Sequence, residues 1–427
     1  MKGIVVGGLV LLAGAAPARA QAVEPEVVAA TSSSQSEEDR VFVFDKRPSL
    51  RLGRMLRIDL RVKLQGDYRT FDFDAAEVEE PVGFEINRRR LGLRGMFFRH
   101  FEYEVEGELR EVNIWRDLFV NFRYFDDFQV RAGKFKMPFS LEQLTGLTDL
   151  DFVYRSNVVN SVSPGRDVGV SLHGHFRRRA LGYHVGVFRG GGENERFGGN
   201  PGTDRTVAGR VTARPFRIAG FSANAGQLTV GFAASAGRIE EGPNSLRVRT
   251  AFREPFFSPV FVNGRRLRYG IEADWQPGPF SVKGEFIRAT DQRKGQGVLE
   301  EDLPPLAARG WYVSGTWLVT GEPKAGGVTP RRPVHSGGPG AVELATRYEK
   351  FQLGSASSSE GENVSPRGAN LLENSDRAWT VGVNWYANRW TKLQLNLIRE
   401  EIEDARRSPI PDRELFWTRV FRVQFAL

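Results

Sequence analysis

The stretch LRIDLRVKLQ, residues 56–65, alternates at every position between an apolar and a charged or polar side chain. Successive side chains of a β-strand point to opposite faces, so this alternation predicts a strand with one apolar and one polar face. The stretch FEYEVEGELR, residues 101–110, follows the same rule and carries glutamates on its polar face. Both stretches indicate a protein built from two-faced strands.

The alternation returns about sixteen times along the chain. It covers residues 55–66, 84–98, 100–111, 117–125, 127–136, 167–176, 180–189, 205–215, 226–237, 265–276, 279–289, 308–320, 341–353, 377–387, 390–401 and 414–427. A soluble β-sandwich with one hydrated face would show the same alternation. The pattern alone therefore leaves two architectures open.

Aromatic residues distinguish the two architectures. On three predicted strands, two aromatic residues of one face lie six positions apart, at Tyr269 and Trp275, Trp311 and Trp317, and Trp379 and Trp385. Six residues span roughly 20 Å at ~3.3 Å per residue. Membrane barrels carry aromatic girdles at both edges of an apolar band ~25 Å tall. We therefore expect an all-β fold, a transmembrane antiparallel β-barrel of about sixteen strands.

The connections between the predicted strands support a barrel. Links after even-numbered strands are mostly short, whereas odd-numbered strands are more often followed by long segments rich in Gly, Pro and Ser. A barrel with both termini in the periplasm has short periplasmic turns and long outer loops. Residues 112–116 are short for an outer loop, and residues 321–340 are long for an inner turn. These two exceptions leave open a miscounted strand.

The start of the chain predicts export. A basic residue, an apolar run and the small-residue site ARA at 18–20 predict a signal peptide over residues 1–20. Residues 21–50 are interpreted as a polar leader, and residues 51–427 as one barrel domain. No later stretch has the ~20 consecutive apolar residues of a transmembrane helix.

Composition narrows the chemistry. The sequence has no cysteine, which excludes disulfides, thiolate metal sites and cysteine nucleophiles. The formal net charge of +8 is compatible with nucleic acid, anionic surfaces or a passage for anions as partners. Charge alone does not choose among these partners.

Three pieces after the fifth predicted strand occur in a specific order. They are RAGKFKMPFSLE at 131–142, DLDF at 149–152 and PGRDVGV at 164–170. These pieces resemble the phosphate-selective porin family, the porins O and P. The resemblance implies a sixteen-stranded barrel, a homotrimer and an anion-binding constriction, with the third outer loop folded into the lumen. One departure is the C-terminal Leu427, where such barrels usually end on an aromatic residue.

Basic residues on the polar face of the predicted strands are candidates to line the pore and select anions. They are Arg57, Arg61, Lys63, Arg88, Arg90, Arg94 and Arg131. Rings of Arg or Lys select anions in pores, and a guanidinium offers a planar fork to phosphate oxygens. The glutamates of residues 101–110 share this face, so cross-strand ion pairs that cancel the charge are the alternative.

Four further basic residues lie within or beside the third outer loop, at Lys134, Lys136, Arg155 and Arg166. We expect them to narrow and charge the pore, and the alternative is an ordinary solvated loop. The alternation is interrupted at Gly133, which indicates a bulge or a strand end.

Other chemistry has little support in the sequence. His173, His175 and His184 share the lumen face and could in principle bind a divalent metal, but polar pore lining is the more common role. The sequence has no hydrolase or metalloprotease motif, so we predict no enzyme activity, no catalytic residue, no metal site and no cofactor.

We expect passive diffusion of small solutes, with phosphate or a related oxyanion preferred. The expected location is the bacterial outer membrane. The expected partners are the lipid bilayer, lipopolysaccharide, small inorganic anions and two further copies of the chain, without nucleic acid. The alternatives are a non-selective diffusion porin and a structural or adhesive barrel with a closed lumen. An outer-membrane enzyme barrel would need a nucleophile and a base that the sequence does not supply.

Overall fold

The computed structural model describes residues 41–427 except 45, 54, 74–81, 110–114, 191–204, 223–224, 245, 247, 258–259, 356–366, 370, 372 and 411. The predicted signal peptide, most of the predicted leader and most of the short connection at 112–116 lie outside the described residues. In the described part of the chain, the helices are too short or too polar to cross a bilayer.

The described residues form strands and three short helices. The strands are β1 (Phe42–Phe44), β2 (Pro48–Leu52), β3 (Leu56–Phe71), β4 (Gly83–Phe97), β5 (Phe101–Glu108), β6 (Trp115–Phe122), β7 (Gln129–Lys136), β8 (Arg166–Phe176), β9 (Leu181–Phe188), β10 (Thr206–Ala213), β11 (Gln227–Pro243), β12 (Phe261–Gln276), β13 (Phe280–Arg293), β14 (Leu303–Leu318), β15 (Ala341–Ser355), β16 (Asn374–Tyr386), β17 (Thr391–Ile402) and β18 (Leu415–Ala426). The helices are α1 (Leu141–Leu144), α2 (Asn157–Val162) and α3 (Pro215–Ile218), and single 3-10 turns cover Leu147–Asp149, Val334–Ser336 and Ala405–Arg407.

Strands β3 to β18 close into a barrel. Each pairs in antiparallel fashion with the next along the chain, and β18 returns to β3 with Phe421 opposite Tyr68. These are the sixteen predicted strands, so the predicted fold is confirmed. Residues 321–340 hold one 3-10 turn and no strand, so the long inner turn is real and the strand count was right.

A short hairpin, β1 and β2, completes the sheet before the barrel begins. The last strand pairs with β3 only from Lys63 onward, so the first part of β3 lacks a neighbour on that side. Strand β2 pairs there instead, from Ser49 opposite Asp59 to Leu52 opposite Leu56. The sequence did not predict this hairpin, because the end of the polar leader shows no sustained alternation.

The apolar faces of the strands point outward, as predicted. Val381 has 44% of its surface exposed, whereas its neighbour Thr380 on the opposite face is buried. The predicted aromatic residues are also on the outer face, where Trp379 is 53% exposed. An apolar face turned to the outside matches a lipid environment rather than a sandwich core.

Apolar packing in the interior comes from outer loops that enter the barrel. Val158 and Val159 of the third outer loop, residues 137–165, are fully buried. They belong to one cluster with Phe252 and Phe256 of the fifth outer loop, residues 244–260, and with inward side chains such as Phe351. Two loops therefore fill part of the barrel interior.

Candidate functional site

The third outer loop is held to the barrel wall by a buried ion-pair network. The Asp151 carboxylate lies 2.8 Å from the Lys283 ammonium on β13 and 2.6 Å from that of Lys324 in the long inner turn. Burial alone would raise the pKa of the Asp151 carboxyl, but the charges of Lys324 and Lys283 lower it below its usual value. The inner turn and the outer loop therefore meet inside the barrel.

Further contacts attach the loop to strands β15, β17 and β18. The Asn157 amide donates to the Glu349 carboxylate at 2.5 Å, and Arg347 donates to the Tyr154 carbonyl at 3.0 Å. The Val153 amide donates to the Asn396 side-chain oxygen at 2.8 Å, and Arg422 donates to the Val153 carbonyl at 2.9 Å. These hydrogen bonds hold the loop across the lumen, as the family resemblance implied.

Opposite charges hold the two ends of α1. The amides of its first turn donate to the Glu285 carboxylate at 2.9 and 2.7 Å. Lys136 donates to the carbonyls of Gln143 and Thr145 at the other end, at 2.6 and 2.9 Å. An anion at the N-terminus and a cation at the C-terminus of a helix are both stabilising. Lys136 thus stabilises the C-terminal end of α1 in the third outer loop, in addition to any role in the pore.

At least six of the eleven predicted site residues form ion pairs with described carboxylates. The pairs are Arg57 with Asp59, Arg61 with Glu104, Lys63 with Glu106, Arg90 with Glu106 and Glu108, Arg94 with Glu102, and Arg166 with Asp117. Most of these carboxylates are the glutamates of the acidic strand β5. The cross-strand pairing that the sequence left open as an alternative thus applies to five of these residues, whereas Arg57 and Asp59 both lie on β3.

Two predicted pore residues have no carboxylate at ion-pair distance among the residues that the structure describes. Arg88 donates to the Asn87 carbonyl at 3.1 Å. The Arg131 guanidinium lies over the rings of Phe119 and Phe135, with its carbon 4.5 and 5.4 Å from the ring centres. A cation–π contact leaves the positive charge uncompensated.

Arg155 is bound by carbonyl groups. Its guanidinium donates to the carbonyl oxygens of Glu142 at 3.0 Å and Thr145 at 3.1 Å. Burial lowers the pKa of Arg155 to about 10; the charge of Glu142 opposes this change, and the charges of Arg166 and Arg90 add to it. Arg155 is therefore still protonated at neutral pH, and it lies in a cluster of like charges.

Lys134 differs in position from the other candidates. Lys134 on β7 lies directly opposite Leu118 on β6, and the Leu118 side chain is on the exposed outer face of the barrel. Only 3% of the Lys134 surface is exposed. The preceding Gly133 has a φ of 128°, and a Cβ there would lie 2.2 Å from the Leu118 carbonyl oxygen. The interruption predicted at Gly133 is thus a backbone conformation that only glycine adopts readily.

Other charged lumen residues were missed by the sequence analysis. The basic ones include Arg210, Arg266, Lys283, Lys324, Arg347, Lys392 and Arg422. The alternation of the sequence could have identified the six that lie on strands, because they occupy inward-facing positions of β10, β12, β13, β15, β17 and β18. Lys324 lies in a turn, where no periodic signal exists.

The three histidines do not converge on a metal site. His173 and His184 are directly paired with ring centres 5.0 Å apart, but their Nε2 atoms bond to Asn121 and Ser171. In the described ranges no three His, Cys, Asp or Glu side chains are grouped so as to hold a metal ion.

A closed antiparallel barrel with an apolar outer face, a charged lumen and an inserted loop defines the class of outer-membrane porins. The family model for phosphate-selective porin O and P matches residues 57–427. The chain therefore belongs to the phosphate-selective porin O and P family, and it is a protein of the bacterial outer membrane. The resemblance stated from residues 131–170 is confirmed.

Several solved structures share the fold. OmpT of Vibrio cholerae superposes with a TM-score of 0.55 at 10% identity, over 89% of this chain and 99% of that chain. The anion-selective porin from Comamonas acidovorans gives 0.53 at 14%, over 87% and 100%. Pseudomonas putida OprB gives 0.54 at 10%, over 88% and 94%. No curated sequence matches the chain.

Proposed function

We propose that this porin conducts small solutes by passive diffusion, without catalytic turnover, and that it prefers anions, with phosphate or a related oxyanion as the preferred solute. The observation that carries the proposal is that three of the predicted pore cations are not ion-paired with a carboxylate among the described residues. Arg88 and Arg131 have no carboxylate at ion-pair distance among the described residues, and Arg155 is bound by carbonyl groups.

Ion pairs and single cations contribute differently to selectivity. A guanidinium paired with a carboxylate presents almost no net charge to an ion a few ångströms further away, whereas an isolated cation attracts anions over about a Debye length. The family description and the anion-selective Comamonas porin of the same fold support this preference.

We also propose a homotrimer whose interface lies on the side of the short strands. Strands β5, β6, β7, β9 and β10 have eight residues each. Eight residues tilted by ~40° rise roughly 20 Å, less than the ~25 Å apolar band that lipid requires. Their outward residues, such as Val187 and Val207, are apolar and exposed. Contact between protomers would therefore cover the apolar outer face of these short strands better than lipid.

The second candidate is a porin without selectivity, and the ion pairs of the six predicted residues favour it. If carboxylates in the lumen outweigh the single cations, the net field in the pore vanishes or reverses. A closed structural barrel is the third candidate, because apolar loops fill part of the lumen. Conductance in a planar bilayer separates these candidates.

The experiment measures reversal potentials of single channels in a salt gradient. We expect anions to permeate better than cations and phosphate to block chloride current at low ionic strength. Changing Arg88 and Arg155 to Gln should reduce both effects, whereas the same change at Arg217, exposed on a periplasmic turn, should leave them unaltered. Cation preference in the native protein would refute selectivity, and absence of conductance would indicate the closed barrel.

A further inference from the structure

The outward face of six neighbouring strands carries a basic residue near the extracellular end of each strand. We call this set the outer basic belt: Arg288 on β13, Arg309 on β14, Lys350 on β15, Arg377 on β16, Arg399 on β17 and Arg419 on β18. Each alternates with buried lumen residues and is partly or fully exposed. These cations face away from the pore, so they take no part in its selectivity.

Each belt residue lies two positions further out than a large apolar residue on the same strand. These apolar residues are Phe286, Trp311, Tyr348, Trp379, Leu397 and Phe421. Rings of neighbouring strands contact one another, with centres 5.6 Å apart between Trp311 and Tyr348 and 5.8 Å apart between Tyr348 and Trp379. Each belt residue therefore lies ~7 Å along its strand beyond this apolar residue. On β18 one further aromatic residue, Trp417, lies outside the belt residue Arg419.

The pairing register of the strands shows how the belt residues are placed relative to one another around the barrel. Arg288 is directly opposite Arg309, and Lys350 is directly opposite Arg377. From Arg377 to Arg399, as from Arg399 to Arg419, the belt shifts by two residues toward the periplasm. The apolar edge shifts in the same way. Tilted strands require such a stagger for residues at one height.

Charge in the belt is only weakly compensated by the protein. Arg309 lies 3.4 Å from Glu373, and Arg399 lies 3.3 Å from Glu401, and both pairs are exposed. Within the described ranges, Lys350, Arg377 and Arg419 show no carboxylate at ion-pair distance. Long basic side chains at a membrane edge direct their charge toward polar head groups or water.

A cavity of about 430 Å³ lies on the same outer surface, beside two belt residues. Trp379, Val381, Leu397 and Trp417 form its apolar wall, and Arg377 and Arg399 lie at its edge together with Glu401, the partner of Arg399. An apolar trough beside two cations matches a lipid molecule that has a phosphate at the surface and an acyl chain in the membrane.

We propose that the outer basic belt binds the phosphate groups of lipopolysaccharide in the outer leaflet, with an acyl chain in the cavity beside Trp379. The belt extends over six strands at one height, which suits a lipid with several phosphates and several chains. It lies on the side of the barrel opposite the short strands, so the proposed trimer leaves it facing lipid. This proposal is independent of the solute that the pore prefers.

The test compares two triple variants of the full-length protein with equal loss of charge. Lys350→Gln, Arg377→Gln and Arg399→Gln remove the centre of the belt, and Arg99→Gln, Arg217→Gln and Arg332→Gln remove three cations from periplasmic turns. Binding of fluorescent lipopolysaccharide to the detergent-solubilised protein is measured by titration. We expect the belt variant to bind on the order of tenfold more weakly or worse, since each basic residue contributes to attraction toward anionic lipid.

Three controls complete the test. Heat-modifiable migration shows whether each variant is folded, and Arg377→Lys with Arg399→Lys keeps the charge and should bind like the native protein. Dephosphorylated lipid A and phosphatidylglycerol vesicles should compete poorly. Equal affinity of the belt and turn variants would overturn the proposal. Competition by phosphatidylglycerol as strong as that by lipopolysaccharide would overturn the choice of lipid.

Discussion

At the scale of residues, the lumen charges act as pairs, and the pairs decide what each residue contributes. Glu104 has only 7% of its surface exposed and accepts a hydrogen bond from Arg61, and Arg94 lies 3.9 Å away. A buried carboxylate of this kind compensates its arginine almost completely. The electric field along the lumen therefore depends on which basic residues have no carboxylate partner.

Changing Glu104 to Gln should move the reversal potential further toward anions. The amide keeps the shape of the side chain but removes the charge that compensates Arg61. The shift should be clear at ~0.1 M salt, where the Debye length is about 10 Å, and small at ~1 M, where it is about 3 Å. Glu240→Gln, at an exposed site near the outer end of β11, serves as the matched control. An unchanged potential at low salt would show that Arg61 does not face the ion path.

At the scale of elements, the third outer loop is bonded to the inner wall of the barrel on several strands. Its attachment combines ion pairs of Asp151, hydrogen bonds of Asn157 and apolar packing of Val158 and Val159. Removing one partner of a buried ion pair costs about 3–5 kcal/mol. The loop is therefore a fixed part of the lumen in this fold.

Deleting residues 145–161 should raise single-channel conductance, because the deletion removes the segment that crosses the lumen. Open-channel conductance in a planar bilayer at high salt measures the effect with little contribution from surface charge. Deletion of Val298 and Leu299, which are exposed at the tip of another outer loop, is the control and should leave conductance unaltered. Equal conductance of the two deletion variants would mean that the third loop does not limit the flow of ions.

At the scale of the whole molecule, one barrel has two different outer walls. The long strands β12 to β16 carry the predicted aromatic residues and an apolar band that suits lipid. The strands β5, β6, β7, β9 and β10 are shorter, and their apolar outer residues suit contact with another protomer. The two walls should respond differently to the same substitution.

The substitution Val187→Arg on β9 should dissociate the proposed trimer in mild detergent, while each monomer remains a folded barrel. The substitution Val381→Arg on β16 should instead hinder insertion into lipid, at a cost of roughly 2–4 kcal/mol for a charge at mid-membrane. The two valines are similarly exposed, at 48% and 44%. Heat-modifiable migration and folding into vesicles distinguish the two effects. Monomers in the native protein, or a Val187→Arg variant that stays trimeric, would contradict the proposed interface.

The strand count and the two faces of the barrel could be predicted from the sequence. The reason is local: alternation such as that of Leu64 and Gln65 follows directly from strand geometry, and lipid outside and charge inside enforce it on all sixteen strands. The motif at residues 131–170 also allowed the protein family to be predicted. The hairpin at 42–52 was missed because pairing with a free edge requires no alternation of its own.

The sequence by itself thus determined the barrel, its orientation of faces and its family, because these depend on periodicity and on a continuous motif. Only the tertiary structure decided which lumen charges are compensated, since Arg61 and Glu104, or Asp151 and Lys324, are separated by tens to hundreds of residues. It also decided how far the third loop reaches, because its anchors lie on distant strands. Contacts between distant residues depend on strand register and loop path, and neither is encoded in a local pattern.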